Sequence, residues 1–115
     1  MAVLDSPDAV AALTPDTVRL KTAFNANVIA TAAGGDHDFV SRFFAPASGV
    51  PEDPVTGSAH CTLAPYWAKR LGNPVVIGHQ ISRRGGVVEC EVVGDRVRLT
   101  GQCALYLEGR IQLSR

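Results

Sequence analysis

Apolar and polar positions along the chain follow two different periods, and the change of period divides it into three stretches. In the first, Ala2 to Leu4 reads as a short strand. A short helix follows through Pro7-Asp8-Ala9-Val10-Ala11-Ala12-Leu13, capped by Asp5 or Ser6, with proline just inside its start. Thr14-Pro15-Asp16 breaks it, and Val18 to Ala23 adds a short turn of helix. Asn27 to Ala32 is β-branched and apolar, is bounded by Gly34-Gly35-Asp36, and predicts a buried strand. Asp38 to Ala45 predicts another, with Phe39, Ser41 and Phe43 on one face and Val40, Arg42 and Phe44 on the other.

A connection from Pro46 to Val55, with three prolines and a glycine, leads into the middle stretch. Loops of this kind inside a compact domain tend to carry function. Over Gly57 to Leu71 the period becomes helical: Ala59, Leu63, Tyr66, Trp67 and Leu71 recur at spacings of three to five, and Gly72-Asn73-Pro74 ends the element. Polar residues are scarce before Lys69-Arg70, so most of this helix is expected to be buried. In the third stretch the period returns to two. Strands are expected at Val75–Ile81, Val87–Val93, Arg96–Leu107 and Arg110–Leu113, with turns at Arg84-Gly85-Gly86, Gly94-Asp95 and Glu108-Gly109. A strand-rich chain around one apolar helix predicts an α+β roll, a barrel-like curled sheet wrapped around a central helix.

Composition narrows the function classes. The 115 residues suffice for one domain, 1–115, with a single core, and 46% of them are hydrophobic. The formal net charge is zero, which argues against nucleic-acid binding, since that needs a surplus of Lys and Arg. Arg83-Arg84 is the one basic cluster and reads as a solvated turn. No stretch approaches the roughly 20 apolar residues that span a bilayer. The opening Met-Ala-Val-Leu-Asp-Ser has no basic n-region or long apolar run, so no signal peptide is expected and a cytoplasmic location is the default. Cys61, Cys90 and Cys103 are odd in number and irregularly spaced. They form neither a disulfide framework nor a zinc pattern and read as small buried hydrophobes, so no metal site is expected.

The chemistry concentrates where the prolines meet the helix. Asp53 precedes Pro54, which holds it extended. Thr56 or Ser58 can cap the helix, and Gly57 allows close approach to the backbone. The first N–H groups of a helix lack intrahelical partners and lie at the positive end of its dipole, so Thr56, Gly57, Ser58, Ala59 and His60 form a candidate site for a carboxylate or phosphate. Set against that, Thr-Gly-Ser is a common cap and a lone histidine on a buried helix is more often a core residue. Ser58 and His60 are about 200° apart around a helix, which argues against a Ser–His nucleophile pair. The sequence has no Gly-x-Ser-x-Gly elbow and no phosphate-loop lysine.

The runs Phe39-Val40-Ser41-Arg42-Phe43-Phe44-Ala45-Pro46 and Pro51-Glu52-Asp53-Pro54-Val55-Thr56-Gly57-Ser58-Ala59-His60-Cys61 strongly resemble the phenazine-biosynthesis PhzF-like family. Ser82-Arg83-Arg84-Gly85-Gly86 and Arg96-Val97-Arg98-Leu99-Thr100-Gly101-Gln102 fit as well, and the resemblance extends from Ala2 to Leu113. It implies half of a diaminopimelate-epimerase-like fold, in which two similar domains, each a β-roll around a helix, point their helix N-termini at one substrate. The implied chemistry is cofactor-free proton transfer, an isomerisation of a small carboxylic acid; in the phenazine enzyme it is a hydrogen shift on a dihydro-hydroxyanthranilate. Asp53 matches the family's acid in the C-terminal domain, and Ser58 the active-site serine beside it.

The epimerase relatives use a pair of cysteine bases, a role not carried over to Cys61. The resemblance is to the C-terminal domain alone. The family's principal glutamate and second-helix histidine have no counterpart here, and Glu52 and Glu91 do not replace them. Three expectations follow. The chain is a half-enzyme completed by homodimerisation or by a separate N-terminal-domain partner, a binding module for small carboxylates without catalysis, or a truncated structural remnant.

Overall fold

The computed structural model describes residues 1–113. Among them, seven strands form one mixed sheet, in the order β1 (Ala2–Val3), β2 (Val28–Ala33), β3 (Phe39–Ala45), β5 (Val75–Gln80), β6 (Gly86–Val93), β7 (Arg96–Thr100). The remaining strand, β4 (Val50–Asp53), pairs with β3 off this path. β1 pairs with β2 and β7 with β6 at opposite ends of the order. Among the described residues the sheet is therefore not closed into a barrel, and the barrel-like part of the expected curled sheet around one helix is not confirmed. The α+β class holds.

The long helix α3 (Gly57–Leu71) has the bounds expected from the sequence and stops at Gly72, whose φ of +68° an L side chain rarely adopts. Pro65 stands on its exposed side, where the Cys61 carbonyl it leaves unpaired can meet water. The buried face of α3, Ala59, Leu63, Ala64 and Trp67, packs with Phe39, Val76, Val88 and Cys90 into the main core. Phe39 stacks on Trp67 at 5.9 Å and lies over Gly78, where an added Cβ would stand 2.3 Å from its ring.

The other face of the sheet carries a second core of Val10, Ala30, Ala32, Val40 and Phe44, beneath α1 (Pro7–Ala11). The alternation expected along β3 is thus present, Phe39 facing one core and Val40 and Phe44 the other. Ser6, of the two candidates, caps α1, accepting from the Ala9 N–H at 3.1 Å. Asp16 caps the short α2 (Thr17–Arg19), which continues into a π-helical turn over Leu20–Phe24.

Three further expectations need correction. The connection Pro46–Val55 is not all loop, since it holds β4 and a 3-10 turn over Pro46–Ser48. The strand from Arg96 stops at Thr100, and residues 101–113 contain no strand, so Arg110–Leu113 is not one either. Alternation continues through Leu105 and Leu107, but a strand needs a neighbour to complete its ladder, and β7 has no pairing past Thr100. Of the cysteines, Cys90 alone is buried; Cys61 lies on the outer side of α3 and Cys103 beyond β7. Burial pushes the Cys90 thiol up to about 11, so it is an inert core group. No helix among the described residues is long and apolar enough to cross a membrane.

Candidate functional site

β3 changes partner part-way along. Its first half pairs in parallel with β5, Ser41 opposite Gln80; its second half pairs antiparallel with β4, Phe43 opposite Asp53. The C-terminal ends of β4 and β5 therefore converge head-on beside β3, and Asp53 and Gln80 meet at the fork. Pro54 turns the chain out of the sheet and α3 begins three residues later.

Gln80 closes this fork. Its Nε2 donates to the Asp53 carbonyl at 2.7 Å and to Thr56 Oγ1 at 3.2 Å, and its Oε1 accepts from the Thr56 N–H at 2.8 Å. Ser82 Oγ donates to the Pro54 carbonyl at 2.7 Å and accepts from the Gly85 N–H at 3.0 Å. Val55 packs onto Gly86, where a Cβ would lie 2.5 Å from its Cγ2. The sequence reading did not single out Gln80 or Ser82. The available signal was a glutamine in phase with the inward positions Val76 and Gly78, since a buried amide requires partners.

Thr56 is extended at the N-cap of α3, yet its side chain caps nothing. Its hydroxyl donates instead to Asp53 Oδ2. That leaves the N–H groups of Gly57, Ser58 and Ala59, which precede the first i to i−4 bond at His60, as open donors at the positive end of a 15-residue helix. Asp53 is half-buried and held by Thr56, while Ser58 is exposed. Leu99 of β7 flanks this end, 3.6 Å from where a Gly57 Cβ would stand.

His60 turns the other way. It is fully buried, its Nδ1 lies 2.8 Å from the Thr56 carbonyl, and its ring is 6.1 Å from that of Phe39. Desolvation lowers its pKa, opposed by the bond to Thr56. The five residues of the expected anion site are therefore consecutive in space, but His60 acts on the backbone beneath the site while Ser58 faces out.

Glu52, next to the motif, and Glu91, at the far end of the β5–β6 ladder, are both engaged. Glu52 receives the Arg42 guanidinium at 2.7 and 2.9 Å, on the opposite face of β4 from Asp53. Glu91 pairs with Arg98 across β6 and β7. Among the described residues no group of three His, Cys, Asp or Glu side chains could hold a metal. A shallow cleft of about 340 Å³ lies beside the junction, lined by Glu52, Pro54, Ser82, Arg83 and Arg84.

The family model for phenazine biosynthesis-like proteins (PhzC-PhzF) matches residues 1–109. The chain belongs to this family. It is 51% identical over 114 residues to an uncharacterized isomerase of Pseudomonas aeruginosa, covering 99% of this chain and 44% of the relative. An uncharacterized isomerase of Halalkalibacterium halodurans is 39% identical over 112 residues, 96% of this chain and 42% of that one. The crystal structure of a PhzC/PhzF phenazine biosynthesis protein from Clostridium difficile superposes with a TM-score of 0.83 at 40% identity, over 96% of this chain and 43% of that chain. The chain thus spans less than half the length of these PhzC-PhzF relatives, and the Pseudomonas and Halalkalibacterium proteins are named isomerases, which supports an isomerase-type family.

Proposed function

We propose that this chain supplies one half of an isomerase site in which the N-terminus of α3 binds the carboxylate of a small organic acid and Asp53 takes part in cofactor-free proton transfer. The observation that carries this reading is the open first turn of α3, whose N-cap hydroxyl is spent on Asp53 rather than on the helix. Two effects favour an anion there, the free N–H groups and the helix dipole. Ser58, exposed beside them, adds a hydroxyl that can donate to the bound acid.

Proton abstraction beside a carboxylate also needs a second acid–base group and exclusion of water. Within this chain Glu52 and Glu91 are tied to arginines, so a second half must provide that group. A second copy in the cytoplasm, docked by a two-fold axis, or a separate N-terminal-domain partner would close the cleft. Leu105, Tyr106, Leu107, Ile111 and Leu113, each at least 80% exposed, support association through residues beyond β7. The engagement of both glutamates favours a second reading for the isolated chain, a carboxylate-binding module without turnover.

Two measurements separate these. Sedimentation of the chain at micromolar concentration is expected to give a dimer; incubation in D2O with dihydro-hydroxyanthranilate and related small carboxylic acids is expected to place deuterium on a carbon-bound position, lost in Asp53→Asn. A monomer that binds carboxylates without incorporation supports the module; neither binding nor incorporation, with the partner domain present, overturns both readings.

A further inference from the structure

Two buried side-chain polar atoms among the described residues have no hydrogen-bond partner: Ser41 Oγ and His60 Nε2. Their residues are 1% and 0% exposed, so bulk water does not serve them. Unpaired polar atoms at such depth are costly, and a native structure rarely keeps two without a use for both.

Their places in the fold bring them into one layer. Thr31 on β2, Ser41 on β3 and Gln80 on β5 are successive register partners, forming a polar row across three strands. Both ends of the row reach up to α3: Trp67 Nε1 donates to Thr31 Oγ1 at 3.0 Å, and Gln80 holds Thr56. Ser41 is the middle member. His60 descends from the helix between Thr56 and Trp67, with its ring 6.1 Å from Phe39, the neighbour of Ser41 on the same face of β3.

The two atoms are also chemically complementary. A carbonyl only accepts, so the 2.8 Å contact to Thr56 O puts the hydrogen on His60 Nδ1 and leaves a lone pair on Nε2. The Ser41 hydroxyl has a hydrogen to give. We propose that one buried water molecule joins them, accepting from Ser41 O–H and donating to His60 Nε2, and that it makes His60 a positioning residue for the N-terminus of α3. The chain of donation runs from the sheet, through the water and the imidazole, to the Thr56 carbonyl. There the backbone N–H of His60 contributes only a long bond of 3.4 Å, so the ring is the stronger tie. With Gln80 on the N–H and hydroxyl, Thr56 is held at all three of its polar groups. The inference concerns how this helix end is fixed and does not depend on what it binds.

The test is NMR of the 15N-histidine-labelled chain at pH 7. His60 is expected as the neutral tautomer with hydrogen on Nδ1, the less common form, and with an Nε2 resonance displaced by hydrogen bonding. Water-selective spectra should show a long-lived water beside its ring. Ser41→Ala should shift the Nε2 resonance and raise the exchange rates of the bonded Thr56 and His60 amides about tenfold, with α3 otherwise intact. Hydrogen on Nε2 in the unmodified chain would overturn the proposal, and that measurement needs no variant. An Nε2 resonance unmoved by Ser41→Ala would also overturn it.

Discussion

The amide of Gln80 meets Thr56 twice, accepting its backbone N–H at 2.8 Å and donating to its hydroxyl at 3.2 Å. One buried side chain, from a strand 24 residues further on, thus sets where the long helix begins. Gln80→Met keeps the length and removes every bond, leaving the Thr56 N–H and the Asp53 carbonyl unpaired. Each such group costs about 1–3 kcal/mol. We expect a loss of about 2–4 kcal/mol, read as a lower urea midpoint at unchanged slope.

Arg42 ties three elements together. Its guanidinium holds Glu52 on β4, donates from Nη1 to the carbonyls of Val10, Ala11 and Leu13, and lies 4.7 Å from the ring centre of Phe44. Arg42→Met leaves the Glu52 charge unpaired and the end of α1 unsatisfied. Breaking a fully buried pair costs about 3–5 kcal/mol; Glu52 keeps a quarter of its side-chain surface in water, so about 2–3 kcal/mol is expected by the same argument. Denaturant unfolding measures it. Carboxylate binding at α3 should persist in the folded fraction, because Arg42 and Asp53 face opposite sides of the sheet.

His60 gives the fold a pH dependence of definite sign. Desolvation holds its folded pKa below the ordinary value, against the opposing Thr56 bond. Above about pH 6.5, where the unfolded histidine is neutral, the contribution is fully present. As the pH falls through that value toward the folded pKa, the unfolded chain takes up a proton that the folded chain refuses, and stability drops by up to about 1.4 kcal/mol per pH unit. Comparing urea midpoints at pH 7.5 and 5.5 with those of His60→Gln isolates this slope, which should be shallower in the variant.

Much of this was legible in the sequence because it depends on local chemistry. The bounds of α3 follow from Gly57 and from Gly72-Asn73-Pro74, and the two faces of β3 follow from alternation. What escaped depends on pairing. β4 is short, has Pro51 inside it and Pro54 after it, and exists because β3 has room beyond the end of β5. The alternation past Thr100 is as strand-like as that before it, but a pattern of side chains makes no ladder without a neighbour. At the site, Asp53 and Thr56 stood out by spacing, whereas Gln80 is brought to them only by the convergence of two strands.

Gly78 and Gly86 are glycines by space. An added Cβ would stand 2.3 Å from the Phe39 ring or 2.5 Å from Val55 Cγ2. Gly78→Ala must displace an aromatic stacked in the main core and should cost about 2–3 kcal/mol, toward the upper end for overpacking. Gly86→Ala should cost less, because Val55 lies on the half-buried connection. Thermal unfolding ranks the two.

The central claim is that the open end of α3 receives a carboxylate. Its most direct measurement is an amide-resolved NMR titration of the chain with a small aromatic carboxylate such as benzoate. Saturable shifts should centre on the N–H groups of Gly57, Ser58 and Ala59, weaken several-fold in Ser58→Ala, and be absent with the matching neutral amide. Shifts centred instead on Arg83 and Arg84, or none at millimolar ligand, would contradict it.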